Sequence, residues 1–403
     1  MSKRPGYLGV WLVGGRGSVA TTAVTGAAAI ARGLTPPTGV VTMQPAFKQT
    51  ALPALADMVF GGHDVVETPL ALRAARLVDA GVVPAGLAQA VGGSLEAMEA
   101  NLRPGIGWRE ARTEPSAAIG RAAADLRAFR AHHGLEQVVV LNLSSTEPRA
   151  EPHRSHDDAD ALLAALKRRL PVLPPSSLYA LAAIESGSAF IDFTPSTGAR
   201  LPALEALAET YEVPLGGRDG KTGETLMKSA LAPAFAARAL RVRSWAGTNL
   251  LGGGDGEALA DPERARSKIA TKARCLEAIL GYSVEAPVTI DQVRDLGEWK
   301  TAWDHIGFEG FLGTRMRMQF TWEGCDSALA APLLLDLARL GALALARGEA
   351  GVIPELAFFF KDPAGTAEHA LHRQYEMLCN WVARRDGAPE PSGSMPPSAR
   401  RAS

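Results

Sequence analysis

The chain has 403 residues, 47% of them apolar, with 42 basic against 43 acidic side chains and a net charge of −1. It is therefore long enough for two or three domains with large cores, and it has no sequence-wide field to recruit nucleic acid or an anionic membrane. Three widely spaced cysteines, Cys275, Cys325 and Cys379, make neither a disulfide framework nor a zinc pattern and point to a reducing, cytoplasmic setting. Lys3 and Arg4 ahead of an apolar run imitate an export signal, but glycines interrupt the run. No uncharged apolar stretch reads as a membrane span.

Tyr7–Val13 reads as a strand, Gly14-Gly15-Arg16-Gly17-Ser18-Val19-Ala20 as a glycine turn, and Thr21–Arg32 as a helix. Gly15-x-Gly17-x-x-Ala20 in that context is what a dinucleotide pyrophosphate needs, because glycines let it approach the helix N-terminus; a glycine turn with no ligand is the plainer reading. No Asp or Glu occurs from Ser18 through Ala56, where a ribose-binding carboxylate is expected. Asp64, in Phe60-Gly61-Gly62-His63-Asp64, is the nearest substitute apart from Asp57, which falls in a predicted helix. Apolar runs at Gly39–Met43 and Val138–Leu143 are the expected second and third strands, separated by helical patterns such as Gly120–His132. Such alternation predicts a parallel α/β sheet. Beyond the third strand, Ser144, Ser145 and Thr146 precede Glu147 and Pro148, in a loop that either faces a cofactor or is a solvated cap. A helix and a strand follow through Ser177–Phe193.

Near Pro214 the character shifts to glycine-rich loops. Gly216–Thr225 contains Asp219, Thr222, Gly223, Glu224 and Thr225 ahead of a predicted helix at Leu226–Leu240. Its hydroxyls and backbone amides can form a phosphate nest, although the spacing is not that of a Walker loop. Asn249–Gly256 is a second glycine-rich segment, with Gly252 and Asp255. Asp261 and Pro262 open, and Gly281 closes, a helix that places Lys268 and Lys272 on one face. Two cations there ask for an anion or an oxyanion; snorkelling surface lysines are the alternative. Thr314–Trp322 alternates as a half-buried strand with Met316, Met318, Phe320 and Trp322 on one face. An Ala/Leu-rich helix runs from Ser327 to Gly348, with Asp326 able to cap it. Lys300 follows Trp299, and Lys361 closes the apolar stretch Leu356–Phe360. Residues 386–403 have almost nothing to bury and read as a disordered tail.

The order and spacing of these segments resemble the myo-inositol-1-phosphate synthase family over nearly the whole chain. The resemblance implies an α/β fold: a Rossmann-type NAD-binding domain, residues 1–213 and 310–385, interrupted by an α+β catalytic and tetramerisation domain at 214–309. It implies NAD-dependent cyclisation of D-glucose 6-phosphate to 1L-myo-inositol 1-phosphate by oxidation at carbon 5, enolisation, intramolecular aldol and re-reduction. Further implications are a homotetramer, a sugar-phosphate substrate and a monovalent or divalent cation. Carried onto this chain, Lys268 relays the proton at the carbon 5 oxygen, Lys272 and Lys361 polarise the aldehyde, Lys300 serves the phosphate or enolate, and Asp326 orients a lysine. Gly14, Gly15, Arg16, Gly17, Ser18, Val19, Asp64, Ser144, Ser145, Thr146, Asp219 and Asp255 fall to the cofactor. Thr222, Gly223, Glu224, Thr225, Asn249 and Gly252 fall to the substrate. Three segments depart from the family pattern: Thr222-Gly223-Glu224-Thr225 replaces Ser-Gly-Gln-Thr, Ser145-Thr146 replaces an asparagine-threonine pair, and Gly253-Gly254 replaces two asparagines. A glutamate beside a phosphate is repulsive unless it is turned away, protonated or bound to a cation. A Rossmann-fold sugar-phosphate oxidoreductase that omits the aldol step, and a non-catalytic NAD-bound assembly protein, are the competing readings.

Overall fold

The computed structural model describes residues 7–252 and 275–384. Lys268, Lys272, Asp255, Gly253, Gly254 and the tail at 386–403 lie outside the described residues. Of the lysine helix, residues 275–280 are helical and end at Gly281 (φ +78°).

Seven strands form the first sheet: β1 (Leu8–Val13), β2 (Met58–Asp64), β3 (Leu102–Pro104), β4 (Gln137–Asn142), β5 (Ala189–Asp192), β6 (Pro214–Gly217) and β11 (Gly351–Val352). They lie in the order β11-β6-β5-β4-β1-β2-β3, and every pairing is parallel. The order reverses at β1 and β4, which is where doubly wound sheets open a crevice for a ligand. β1 is buried at all six positions, as expected of a parallel strand covered on both faces. The helix Ser18–Ala31 turns Ala20, Ala23, Val24 and Ala27 inward, and it packs against the helix Asp326–Ala346. That later helix is long and apolar enough to cross a membrane, but it is mostly buried inside this layer.

The second sheet is β10-β9-β7-β8, built from β7 (Arg241–Leu251), β8 (Val288–Gln292), β9 (Trp299–Glu309) and β10 (Arg315–Cys325). Val242, Trp245 and Ile306 from the sheet bury against Phe235 of the helix Glu224–Ala237 and against Leu276.

Two expectations need correction. Gly39–Met43 is not a strand. Val41–Met43 forms one turn of 3₁₀-helix, because Asp336, nearly 300 residues away, accepts the N–H groups of Val41 (2.9 Å) and Thr42 (2.8 Å) and the Thr42 hydroxyl (2.6 Å). The partner of β1 on that side is Met58–Asp64, the segment holding the Gly61-Gly62 pair. The crossings between layers also move. β6 belongs to the first sheet, and β10 pairs with β9 along its whole length, so the chain leaves the first sheet after Gly217 and returns to that layer only at Asp326.

Candidate active site

A cavity of about 600 Å³ opens between the carboxyl ends of β1 and β4 and the second sheet. Gly14, at φ +88°, begins its glycine turn, and a Cβ there would stand 3.0 Å from the Leu143 carbonyl. Gly17 N-caps the following helix with no side-chain cap, so the N–H groups at that end are left for an anion. Gly14, Gly17, Ser18 and Val19 line the cavity, and Ser144, Ser145 and Thr146 face them from the end of β4. This bare cradle fits a dinucleotide pyrophosphate.

Gly15, Arg16 and Asp64 support the turn from behind and do not line the cavity. Asp64 accepts the Arg16 N–H at 2.7 Å and the Val66 N–H at 2.9 Å, Arg16 pairs with Glu99, and Gly15 packs on Leu102.

The lower wall carries the charged groups. Lys361 donates to Asp219 at 2.8 Å, and Asp219 holds its place at φ +61° with its N–H on the Thr194 carbonyl (3.0 Å). Lys300, on β9, pairs with Asp326, which also accepts the Thr222 hydroxyl at 2.9 Å. A Cβ at Gly223 would come within 3.0 Å of the Lys300 ammonium, so glycine is what lets that lysine in. Lys300 also lies 5.1 Å from the Trp322 ring centroid. Asp326 sits deep in the cleft, yet 38% of its side chain faces the cavity. Burial works against its charge, but Lys300, helped by Lys361 and the Thr222 hydroxyl, outweighs burial and holds the carboxyl below its usual range.

Glu224 lies in the first turn of the helix Glu224–Ala237, two residues earlier than the predicted start. Its carboxylate is buried, 2.6 Å from the Lys228 ammonium one turn on, and it accepts from the Asn249 side chain at 2.8 Å. A cation therefore answers the family departure at this position. It is not Arg218, which pairs with Asp362 at 3.0 Å. Gly247 makes room, since a Cβ there would meet the Glu224 carboxylate at 2.6 Å. Thr225 and Gly252 also line the cavity.

Sequence reasoning overlooked several charged groups. Lys228 was detectable from its i, i+4 spacing to Glu224. Glu298, which accepts from the Ser18 hydroxyl at 3.0 Å, and Arg73 line the cavity from distant parts of the chain and left no local signal. Lys221 is buried against Gln374, and burial pulls its ammonium down to about 8. Behind the Ser144–Thr146 loop, burial pushes both Asp192 and Glu147 up to about 7, against hydrogen bonds to Asp192 from Thr194 and Asn142 and to Glu147 from Ser176. No group of three or more potential metal ligands occurs among the described residues.

The family model described as myo-inositol-1-phosphate synthase matches residues 8–383. Inositol-3-phosphate synthase 1 of Bacteroides thetaiotaomicron is 32% identical over 96% of this chain and 97% of its own. The human inositol-3-phosphate synthase 1 is 32% identical over 72% of this chain and 55% of its own. Among solved structures, inositol-3-phosphate synthase of Caenorhabditis elegans superposes with a TM-score of 0.83 at 24% identity, covering 94% of this chain and 85% of that one. A myo-inositol-1-phosphate synthase-related protein of Thermotoga maritima superposes at 0.75 with 25% identity, covering 95% and 100%. With a glycine cradle and a lysine-carboxylate wall in one cavity, and matches that run nearly end to end, the chain belongs to the myo-inositol-1-phosphate synthase family.

Proposed function

We propose that the protein cyclises D-glucose 6-phosphate to 1L-myo-inositol 1-phosphate, with NAD as a recycled cofactor. The observation that carries this reading is the meeting of three features in one cavity: the glycine cradle, the Thr222–Thr225 loop, and two lysines each held by a carboxylate. The dinucleotide, when bound, supplies a hydride acceptor that can return what it takes. Gly14, Gly17, Ser18 and Val19 would hold its pyrophosphate, with Ser144, Ser145 and Thr146 lining the same cavity.

The protein's own groups manage protons and oxyanions. Lys361, held by Asp219, polarises the open-chain aldehyde by donating to its oxygen as negative charge develops. Lys300, fixed by Asp326 beside Gly223, serves the phosphate or an enolate oxygen. Thr225, whose buried hydroxyl has no partner among the described residues, offers it to the phosphate, while the Thr222 hydroxyl is held by Asp326. Lys268 and Lys272 complete the set as a proton relay and an aldehyde-polarising cation. Ammonium groups fixed before the reaction pay little reorganisation when an oxyanion forms.

The test is product analysis by NMR after incubation of the purified protein with glucose 6-phosphate and NAD. The expected product is an inositol monophosphate, with no stoichiometric build-up of NADH. Sustained NADH growth without a cyclic product overturns the proposal in favour of a simple oxidoreductase.

A further inference from the structure

Arg73 stands in the helix Leu70–Asp79, just beyond the carboxyl end of β2, and it lines the active-site cavity. Its Nε donates to the carbonyl of Arg16 at 3.1 Å, so the guanidinium is anchored on the glycine turn itself. That contact uses one of its five donors, and among the described residues its two terminal nitrogens have no protein partner. The neighbouring acids are committed elsewhere. Glu99 pairs with Arg16 and accepts the Leu70 N–H at 2.8 Å, and Asp64 braces two backbone N–H groups.

The edge of a Rossmann sheet beyond β2 is where the adenosine ribose lies, and a carboxylate free to take its hydroxyls selects the unphosphorylated dinucleotide. Here each oxygen of Asp64 already accepts one backbone N–H, which leaves a single lone pair apiece, and an arginine with an open fork lines the cavity. A planar guanidinium matches phosphate oxygens two at a time. We infer that Arg73 is a phosphate-binding residue of the dinucleotide site, gripping either the pyrophosphate or the 2′-phosphate of a phosphorylated dinucleotide. This rests on the reading of the cavity as a dinucleotide site.

The experiment titrates NAD and NADP separately, by calorimetry, into wild type, Arg73→Gln and Arg73→Lys, each freed of resident nucleotide with charcoal. Gln keeps a donor for the Arg16 carbonyl and removes the charge, while Lys keeps the charge and loses the fork. Loss of a charge-assisted contact predicts ten- to hundredfold weaker binding in Arg73→Gln, with Arg73→Lys in between. A loss confined to NADP, with wild type binding NADP within about tenfold of NAD, assigns the 2′-phosphate. An equal loss for both ligands assigns the pyrophosphate. Wild-type affinity for both ligands in Arg73→Gln overturns the role of Arg73 while leaving the dinucleotide site intact. Should Arg73→Gln fail to fold, unchanged affinities in Arg73→Lys overturn it likewise. Failure of wild type to bind either ligand overturns the dinucleotide reading, and this inference with it.

Discussion

At the residue scale the pair Glu224 and Lys228 carries the clearest consequence. A lone carboxylate in a phosphate loop would repel the substrate, but this one is buried 2.6 Å from an ammonium and also holds the Asn249 side chain. Removing one charge of a buried pair leaves the other uncompensated, and that usually costs more than the pair itself contributes. Glu224→Gln should therefore lower stability by about 2 kcal/mol and raise the Michaelis constant for glucose 6-phosphate. Adding Lys228→Met should recover most of that stability, as read from urea unfolding of both variants. A lower Michaelis constant in Glu224→Gln would show instead that the carboxylate repels the phosphate despite its partner.

At the scale of elements, the segment 41–43 shows how distant polar contacts override a local apolar pattern. Asp336 sits in the helix Asp326–Ala346, where burial pushes its carboxyl up to about 6 against hydrogen bonds from Thr42 and Val41 and the charge of Arg339. Arg339 bonds Thr42 and the Pro53 carbonyl (2.8 Å), so one acid and one base pin the connection between the first helix and β2. Asp336→Ala removes three hydrogen bonds and leaves Arg339 buried without its acid. A loss of about 3–5 kcal/mol in equilibrium unfolding is expected, and a change below about 1 kcal/mol would show that the segment is held by packing alone.

At the scale of the molecule, β10 is an eleven-residue edge strand with Met316 at 40% and Met318 at 39% exposure. Phe311 and Leu312, in the turn before it, are 87% and 86% exposed. An edge strand with one exposed apolar face is a pairing hazard unless something covers it, and here Arg315 and Arg317 charge only the opposite face. We propose that the second sheets meet in the four-copy assembly of the 42.3 kDa chain that the family resemblance implies. Light scattering should give that mass, and Met318→Lys should shift it downward. A wild-type monomer would reject the assembly.

Local chemistry was enough to read the glycine turn after β1, the strand at β4 and the long helix after Asp326, whereas Lys300, Lys361 and Asp326 were grouped only through the family resemblance, and all three line the cavity. Each of the first three announces itself through neighbouring residues: a backbone that must bend, a run buried on both faces, an Ala/Leu-rich pattern. The alternation from Thr314 to Trp322 also identified a strand, but local pattern cannot say which sheet a strand joins, and pairing with β9 decided that. Asp336 likewise decided the conformation of Val41 and Thr42 from nearly 300 residues away. The partner of Glu224 was written in the i, i+4 spacing, yet it emerged only once the helix was seen to begin at Glu224 itself. Arg73 and Glu298 reach the cavity from separate layers of the fold. Sequence alone carries covalent neighbours and periodicity, whereas burial and long-range hydrogen bonds, which set charge partners and sheet membership, exist only after the chain has packed.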